Sequence, residues 1–240
     1  MRSVRTINDE SPEALAYKTA AAFFMEIRKL LQTHEKVTVG VCGGTSVQEF
    51  YRKIPEHAWM LSANEWKHIH FFWVDERIVP PESEESNYQL VMQLFLRQLV
   101  DDEIVLEENI HRYRGEEEPD EEIARYSKEI EEFGGIHVAI CGVGPDCHIG
   151  ALYPGKDELK SQKSNYLHLD DSPKPPPSRA TMSPELVKAA AVPFLFFISD
   201  KKRDAYEKFT GSDYDFNECP AKLAVLGDES KIAYVITNLI

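Results

Sequence analysis

Apolar positions recur along this chain in two distinct rhythms. Ala16, Ala20, Phe23, Phe24, Ile27, Leu30 and Leu31 stand three or four residues apart, which lays one apolar stripe along a helix ending near His34. Ser11 and Pro12 supply its start: a hydroxyl to cap free amides, then a ring already set at the helical φ. Elsewhere the apolar residues come in short, nearly unbroken runs, as in strands buried on both faces. Such runs predict strands at 37–42, 69–74, 137–141, 194–199 and 232–237, with shorter ones at 4–7 and 166–169. Helices are predicted to start near residue 45 and to cover 86–99, 119–133 and 201–209. Strands alternating with helices predict an α/β fold, a mostly parallel sheet covered by helices on both faces, with 1–240 as a single domain.

In such folds ligands collect beyond the carboxyl ends of the strands, and three of those ends carry candidate chemistry. The run His137-Val-Ala-Ile-Cys141 breaks at Gly142 and Gly144 and then presents Asp146 two positions before His148. A titratable ring delivered there by a tight turn suits proton transfer; a structural loop histidine fits the same pattern. Cys42-Gly43-Gly44-Thr45-Ser46 joins a strand to a helix start, where bare amides and two hydroxyls suit a phosphate. It lacks the lysine of a Walker loop and the third glycine of a dinucleotide fingerprint, and taken alone it reads more readily as a plain tight turn. Asp75, Glu76 and Arg77 end the run Phe71–Val74; Arg77 suits forked phosphate binding and Asp75 suits positioning a base or Arg77 itself. A strand-end salt-bridge cluster is the alternative. The segment DSPKPPPSR, 171–179, is either a stiff connector or a rigid loop presenting Lys174 and Arg179.

Charge narrows the partners. With 27 Lys and Arg against 41 Asp and Glu, the net charge of −14 repels nucleic acid and anionic membranes. Four cysteines, with no Cys-x-x-Cys pair, read as reduced thiols of a cytoplasmic protein, and Cys141, Cys147 and His148 match no zinc spacing. The start of the sequence has no signal-peptide core, and no apolar run approaches the ~20 residues of a membrane span.

Taken together, CGGTS, FFWVDERIVPPESEESNY, GVGPDCHIGALYPG and SPKPPPSRATMS make the chain resemble the 6-phosphogluconolactonase family, whose relatives include glucosamine-6-phosphate deaminases and isomerases. The resemblance runs from the first helix to the last strand. Arg77 and the Pro-Lys-Pro-Pro segment favour the lactonase branch, since deaminases usually carry tyrosine at the position of Arg77. The resemblance implies a Rossmann-like core and hydrolysis of 6-phospho-D-glucono-1,5-lactone, with no metal or organic cofactor. The phosphosugar lactone is the expected partner, and a monomer the expected state. His148 is the expected general base, oriented by Asp146, with Asp75 beside it; Gly43, Gly44, Thr45 and Ser46 contact the sugar phosphate. Arg77, Lys174 and Arg179 hold the phosphate and offset developing charge. Three places depart from the family pattern, one of them the stretch Thr237-Asn238-Leu239-Ile240, where relatives often carry an aspartate and small residues. Cys42 replaces a serine, and Cys147 replaces a glycine between the acid and the histidine, where a left-handed turn would be strained. The rival readings are an isomerase or deaminase on the same fold and a non-catalytic sugar-phosphate-binding protein.

Overall fold

The computed structural model describes residues 2–240. Its first half runs β1 (Ser3–Asn8), α1 (Pro12–Leu31), β2 (Val37–Val41), α2 (Gln48–Glu56), α3 (Ala63–Trp66), β3 (Ile69–Trp73), β4 (Asp75–Arg77), α4 (Asn87–Val91) and α5 (Arg97–Asp101). The second half runs α6 (Pro119–Glu132), β5 (Val138–Gly142), β6 (Tyr166–Leu169), β7 (Arg179–Met182), α7 (Pro184–Ala189), β8 (Val192–Phe197), α8 (Arg203–Thr210) and β9 (Ile232–Thr237). Six strands pair in parallel in the order β1-β9-β8-β5-β2-β3, and three short ones form an antiparallel sheet in the order β4-β7-β6. Among the described residues no helix is long and apolar enough to cross a membrane.

The predicted helix stripe is the buried face of α1: Ala16, Ala20, Phe23, Phe24 and Ile27 are all covered. Ser11 caps it, accepting from the Ala14 amide at 3.3 Å, and Pro12 opens it. Phe23 meets Phe50 of α2 and Phe194 of β8 edge-on, with ring centres 5.6 and 6.3 Å apart. One cluster of helix and strand side chains therefore forms the main core. The predicted helix over 86–99 is α4, a π-helical stretch Met92–Leu96, and α5 end to end.

The sequence places Asp75, Glu76 and Arg77 at the end of the preceding strand. They form instead a separate strand, β4, in the small sheet. The cause is the bonding at Trp73 and Val74. Trp73 gives its amide to the Tyr126 hydroxyl (2.7 Å), and its carbonyl accepts from the Tyr166 hydroxyl. Val74 then donates to Val41 of the main sheet (2.7 Å), while its carbonyl accepts from Met182 at the end of β7, the central strand of the small sheet (2.9 Å). Two tyrosines thus end one ladder, and a single residue straddles both sheets. Strand β7 and helix α7 carry no sequence expectation; each is four to six residues long, too short for a hydrophobic period to show.

Candidate active site

The loops after β2, β5 and β8 meet the small sheet around a cleft of about 260 Å³. Gly43, Gly44, Thr45, Ser46, Asp75, Arg77, His148, Lys174 and Arg179, the candidates from the sequence, all line it. Asp146 is not part of the wall; it stands behind His148 as its hydrogen-bond partner.

The two glycines after β2 serve different needs. Gly44 has φ 94°, open to glycine and costly for other residues. A β-carbon on Gly43 would run into the side chain of Asn87. Tyr51 pins the turn, its hydroxyl lying 3.0 Å from both the amide and the carbonyl of Cys42. The Cys42 sulfur accepts from the Gly142 amide at 3.2 Å, so it joins the loops after β2 and β5. Burial pushes its thiol up to about 12, which makes Cys42 a hydrogen-bonding group and not a nucleophile.

The loop after β5 closes on itself. Cys147 donates its amide to Gly144 (2.9 Å), and Gly144 donates to the His148 carbonyl (2.9 Å). This turn brings Asp146 Oδ1 onto His148 Nδ1. A carboxylate only accepts, so it fixes the ring proton on Nδ1 and leaves Nε2 with a lone pair. A β-carbon on Gly144 would overlap the His148 ring and the Asp146 carboxylate. Tyr153 packs against the ring's other side, with centres 4.7 Å apart. Burial holds the His148 pKa below its ordinary value despite the pull of Asp146. Asp146 is held well below the usual carboxylate range: burial opposes ionisation, but the hydrogen bond from His148 and the charges of His148 and Lys174 outweigh it.

Four cations converge on the cleft. Arg77 donates from Nη1 to the Glu85 carbonyl (2.5 Å), and its buried Nε has no partner among the described residues. Arg179 is held by carbonyls of the proline-rich loop, donating to Pro176 (3.1 Å) and Pro175 (3.0 Å). Its Nη1 lies 3.9 Å from Asp75, so Asp75 pairs with Arg179; the sequence reading had it orient Arg77 or the base. Lys174 Nζ lies 3.9 Å from Asp146 and 3.4 Å from His148 Nδ1. The proline-rich segment is therefore a presenting loop, docked by Ser172, whose hydroxyl is 3.0 Å from both the Tyr153 hydroxyl and the Lys174 carbonyl.

The fourth cation, Lys202, escaped sequence reasoning. It lies in Asp-Lys-Lys-Arg, which reads as a solvated helix start. Its Nζ donates to the Val143 carbonyl (2.5 Å), and burial, helped by Lys174, lowers its pKa to about 8. Its place just past the carboxyl end of β8 was the available signal. Asn87 was missed too; it lines the cleft and donates to the Asp75 carbonyl at 2.9 Å. Glu76 holds this corner, accepting from the amides of Arg77, Asn87 and Tyr88 at 2.7 Å each. Burial nevertheless pushes its carboxyl up to about 7.

One expectation fails at this site. Cys147 and Cys219 are not free thiols but are joined as a disulfide. Cys42 and Cys141 stay free and buried. Among the described residues no group of three or more His, Cys, Asp or Glu side chains is placed to hold a metal.

Comparison with known proteins adds a lineage. The family model for glucosamine-6-phosphate isomerases/6-phosphogluconolactonase matches residues 10–233. A 6-phosphogluconolactonase of Borreliella burgdorferi is 32% identical over 205 residues, spanning 84% of this chain and 83% of that one. The chain spans only 64% of a rice relative named as a probable chloroplastic 6-phosphogluconolactonase, at 29% identity over 83% of this chain. Among solved structures, a 6-phosphogluconolactonase from Thermotoga maritima superposes with a TM-score of 0.81 at 20% identity, over 99% of this chain and all of the other. A structure described as a monomeric glucosamine-6-phosphate deaminase superposes with a TM-score of 0.79 at 16% identity, over 99% and 98%. At these identities the superpositions establish the shared fold.

Proposed function

Because the chain belongs to the glucosamine-6-phosphate isomerase/6-phosphogluconolactonase family, we propose that it hydrolyses 6-phospho-D-glucono-1,5-lactone to 6-phospho-D-gluconate, the second step of the oxidative pentose phosphate pathway. The observation that carries this reading is His148, backed by Asp146, on the wall of a cleft ringed by Arg77, Lys174, Arg179 and Lys202.

In this reading His148 is neutral, with Nε2 free to accept a proton. Water attacks the lactone carbonyl and gives that proton to Nε2. Asp146 stabilises the imidazolium that forms and keeps the ring oriented. The carbonyl oxygen becomes an anion, and the nearby cations offset its charge before it collapses. The bond from the carbonyl carbon to the ring oxygen then breaks, and the imidazolium returns its proton to the departing oxygen. The phosphate lies among the amides and hydroxyls of residues 43–46 and the remaining cations. A net charge of −14 is compatible with an anionic substrate because the local field of four cations governs the encounter.

The test is hydrolysis of freshly generated 6-phosphogluconolactone against its spontaneous background, with wild type and His148→Ala side by side. The expected result is a large acceleration that falls by ~10²-fold or more in kcat in the variant. A wild type that matches the background while still binding 6-phosphogluconate would return the reading to a non-catalytic binder. The fold likeness to a deaminase keeps one other reaction in view, and release of ammonia from glucosamine 6-phosphate would favour it.

A further inference from the structure

Cys147 stands between the acid and the base, and its backbone is left-handed, with φ 73°. Glycine enters this region freely; a residue with a β-carbon enters it at a cost and stays only where the surroundings hold it. The turn cannot relax without moving His148, the next residue along. Two hydrogen bonds hold Cys147: its amide donates to Gly144, and its carbonyl accepts from Ala221 at 3.1 Å. The third restraint is covalent. The disulfide to Cys219 spans 72 residues, with the α-carbons 4.9 Å apart, within the usual range for such a bridge. Cys219 immediately precedes the 3-10 helix Pro220–Val225 that supplies the Ala221 amide. On the other side the Cys147 sulfur lies 3.5 Å from the carbonyl of Ala205, in the helix that follows Lys202.

We infer that the Cys147–Cys219 disulfide is a positioning device for His148, holding a left-handed turn that glycine would hold unaided. The inference rests on His148 being the base of the proposed hydrolysis. It makes the turn responsive to thiol–disulfide balance. The bridge forms from two thiols and a small disulfide of the glutathione class. One thiolate attacks the small disulfide and expels a thiol; the second attacks the mixed disulfide and expels another. Two electrons and two protons pass to the oxidant. Both cysteines are fully buried, so exchange needs local opening. Residues 212–215, 217 and 218, which lead into Cys219, are exposed, and their opening gives the exchange partner its route.

The experiment compares glutathione-disulfide-treated wild type, dithiothreitol-reduced wild type, Cys219→Ala and Cys147→Gly/Cys219→Ala. Two readouts are taken: kcat and KM for the lactone, and the NMR titration of the His148 imidazole without substrate, assigned by its loss in His148→Ala. Reduction and Cys219→Ala are each expected to lower kcat by about 5-fold or more with little change in KM, and to move the His148 titration. Glycine at 147 restores both readouts and removes the response to dithiothreitol. Peptide mapping of the oxidised protein must link Cys147 to Cys219; any other pairing overturns the inference. So does Cys219→Ala that matches oxidised wild type in both readouts, or a glycine variant that restores neither. If no form hydrolyses the lactone but the titrations behave as stated, the proposed reaction fails and the positioning role stands.

Discussion

Asp75 and Arg179 meet diagonally across neighbouring strands of the small sheet, Oδ2 and Nη1 3.9 Å apart and both side chains buried. Removing one member of a buried pair leaves the other charged and uncompensated. Asp75→Ala is expected to lower unfolding free energy by roughly 2–5 kcal/mol. It should also raise KM, because Arg179 loses the carboxylate that helps to orient its guanidinium beside the cleft. Urea unfolding and steady-state kinetics on one preparation check both; an unchanged midpoint would remove the pair from the account.

The His148–Asp146 pair sets an acid limb. Only neutral His148 can take a proton, and burial holds its pKa below the ordinary value. Activity should therefore persist at pH 7 and fall as the pH drops below about 6.5. Asp146→Asn replaces the acceptor that fixes the ring proton, and kcat should fall ~10-fold or more with KM nearly constant. A pH–rate profile with no acid limb would argue against His148 as the base.

Lys202 sets an alkaline limb on binding. Its pKa of about 8 means that it is charged below that pH and loses its charge as the pH rises through it. Calorimetric binding of 6-phosphogluconate should weaken across this window. Lys202→Arg, which stays charged, should flatten the dependence. Lys202→Ala should weaken binding at pH 7 by ~10-fold or more. Equal pH dependence in wild type and the arginine variant would reject the role.

Gly144 is needed for clearance, because a β-carbon there would occupy the space of the His148 ring and the Asp146 carboxylate. Gly144→Ala should lower kcat by ~10²-fold, comparable to loss of the histidine itself, while the melting temperature changes much less. A crystal structure of the variant with an undisturbed His148 would contradict this.

Two histidines far from the cleft predict acid sensitivity of the fold. His70 lies 3.0 Å from His111, with Lys36 and His68 near; His137 accepts from the Thr38 amide, with His34 and Lys231 near. Burial lowers each pKa to about 4. Their folded values lie below the unfolded one, so the unfolded chain binds more protons in between. Stability from these groups is full above pH 6.5 and is lost as the pH falls toward about 4. The melting temperature should drop by about 5 °C or more over that span, and replacing both rings with asparagine should reduce the drop.

The parallel sheet was legible because its strands are buried on both faces and read as continuous apolar runs. The cleft was legible where residue type is itself chemical: His148, Arg77, Lys174, Arg179 and the paired glycines. What escaped depends on contacts between distant residues. The transfer of Asp75–Arg77 to a second sheet is decided by Tyr126 and Tyr166, 53 and 93 positions from the backbone they engage. Lys202 looks like any surface lysine until the loop after β5 buries it. The pairing of Cys147 with Cys219 follows no local spacing.

The change of sheet at Val74 divides the cleft's ownership. The loops of the main sheet carry Asp146, His148, residues 43–46 and Lys202; the small sheet and its loop carry Asp75, Arg77, Lys174 and Arg179. The two groups nevertheless touch: Lys174 Nζ lies 3.4 Å from His148 Nδ1, and the Ser172 hydroxyl meets that of Tyr153. The fold is in this sense a socket whose two jaws share a hinge pin, so a change in one jaw should be matched by a change in the other.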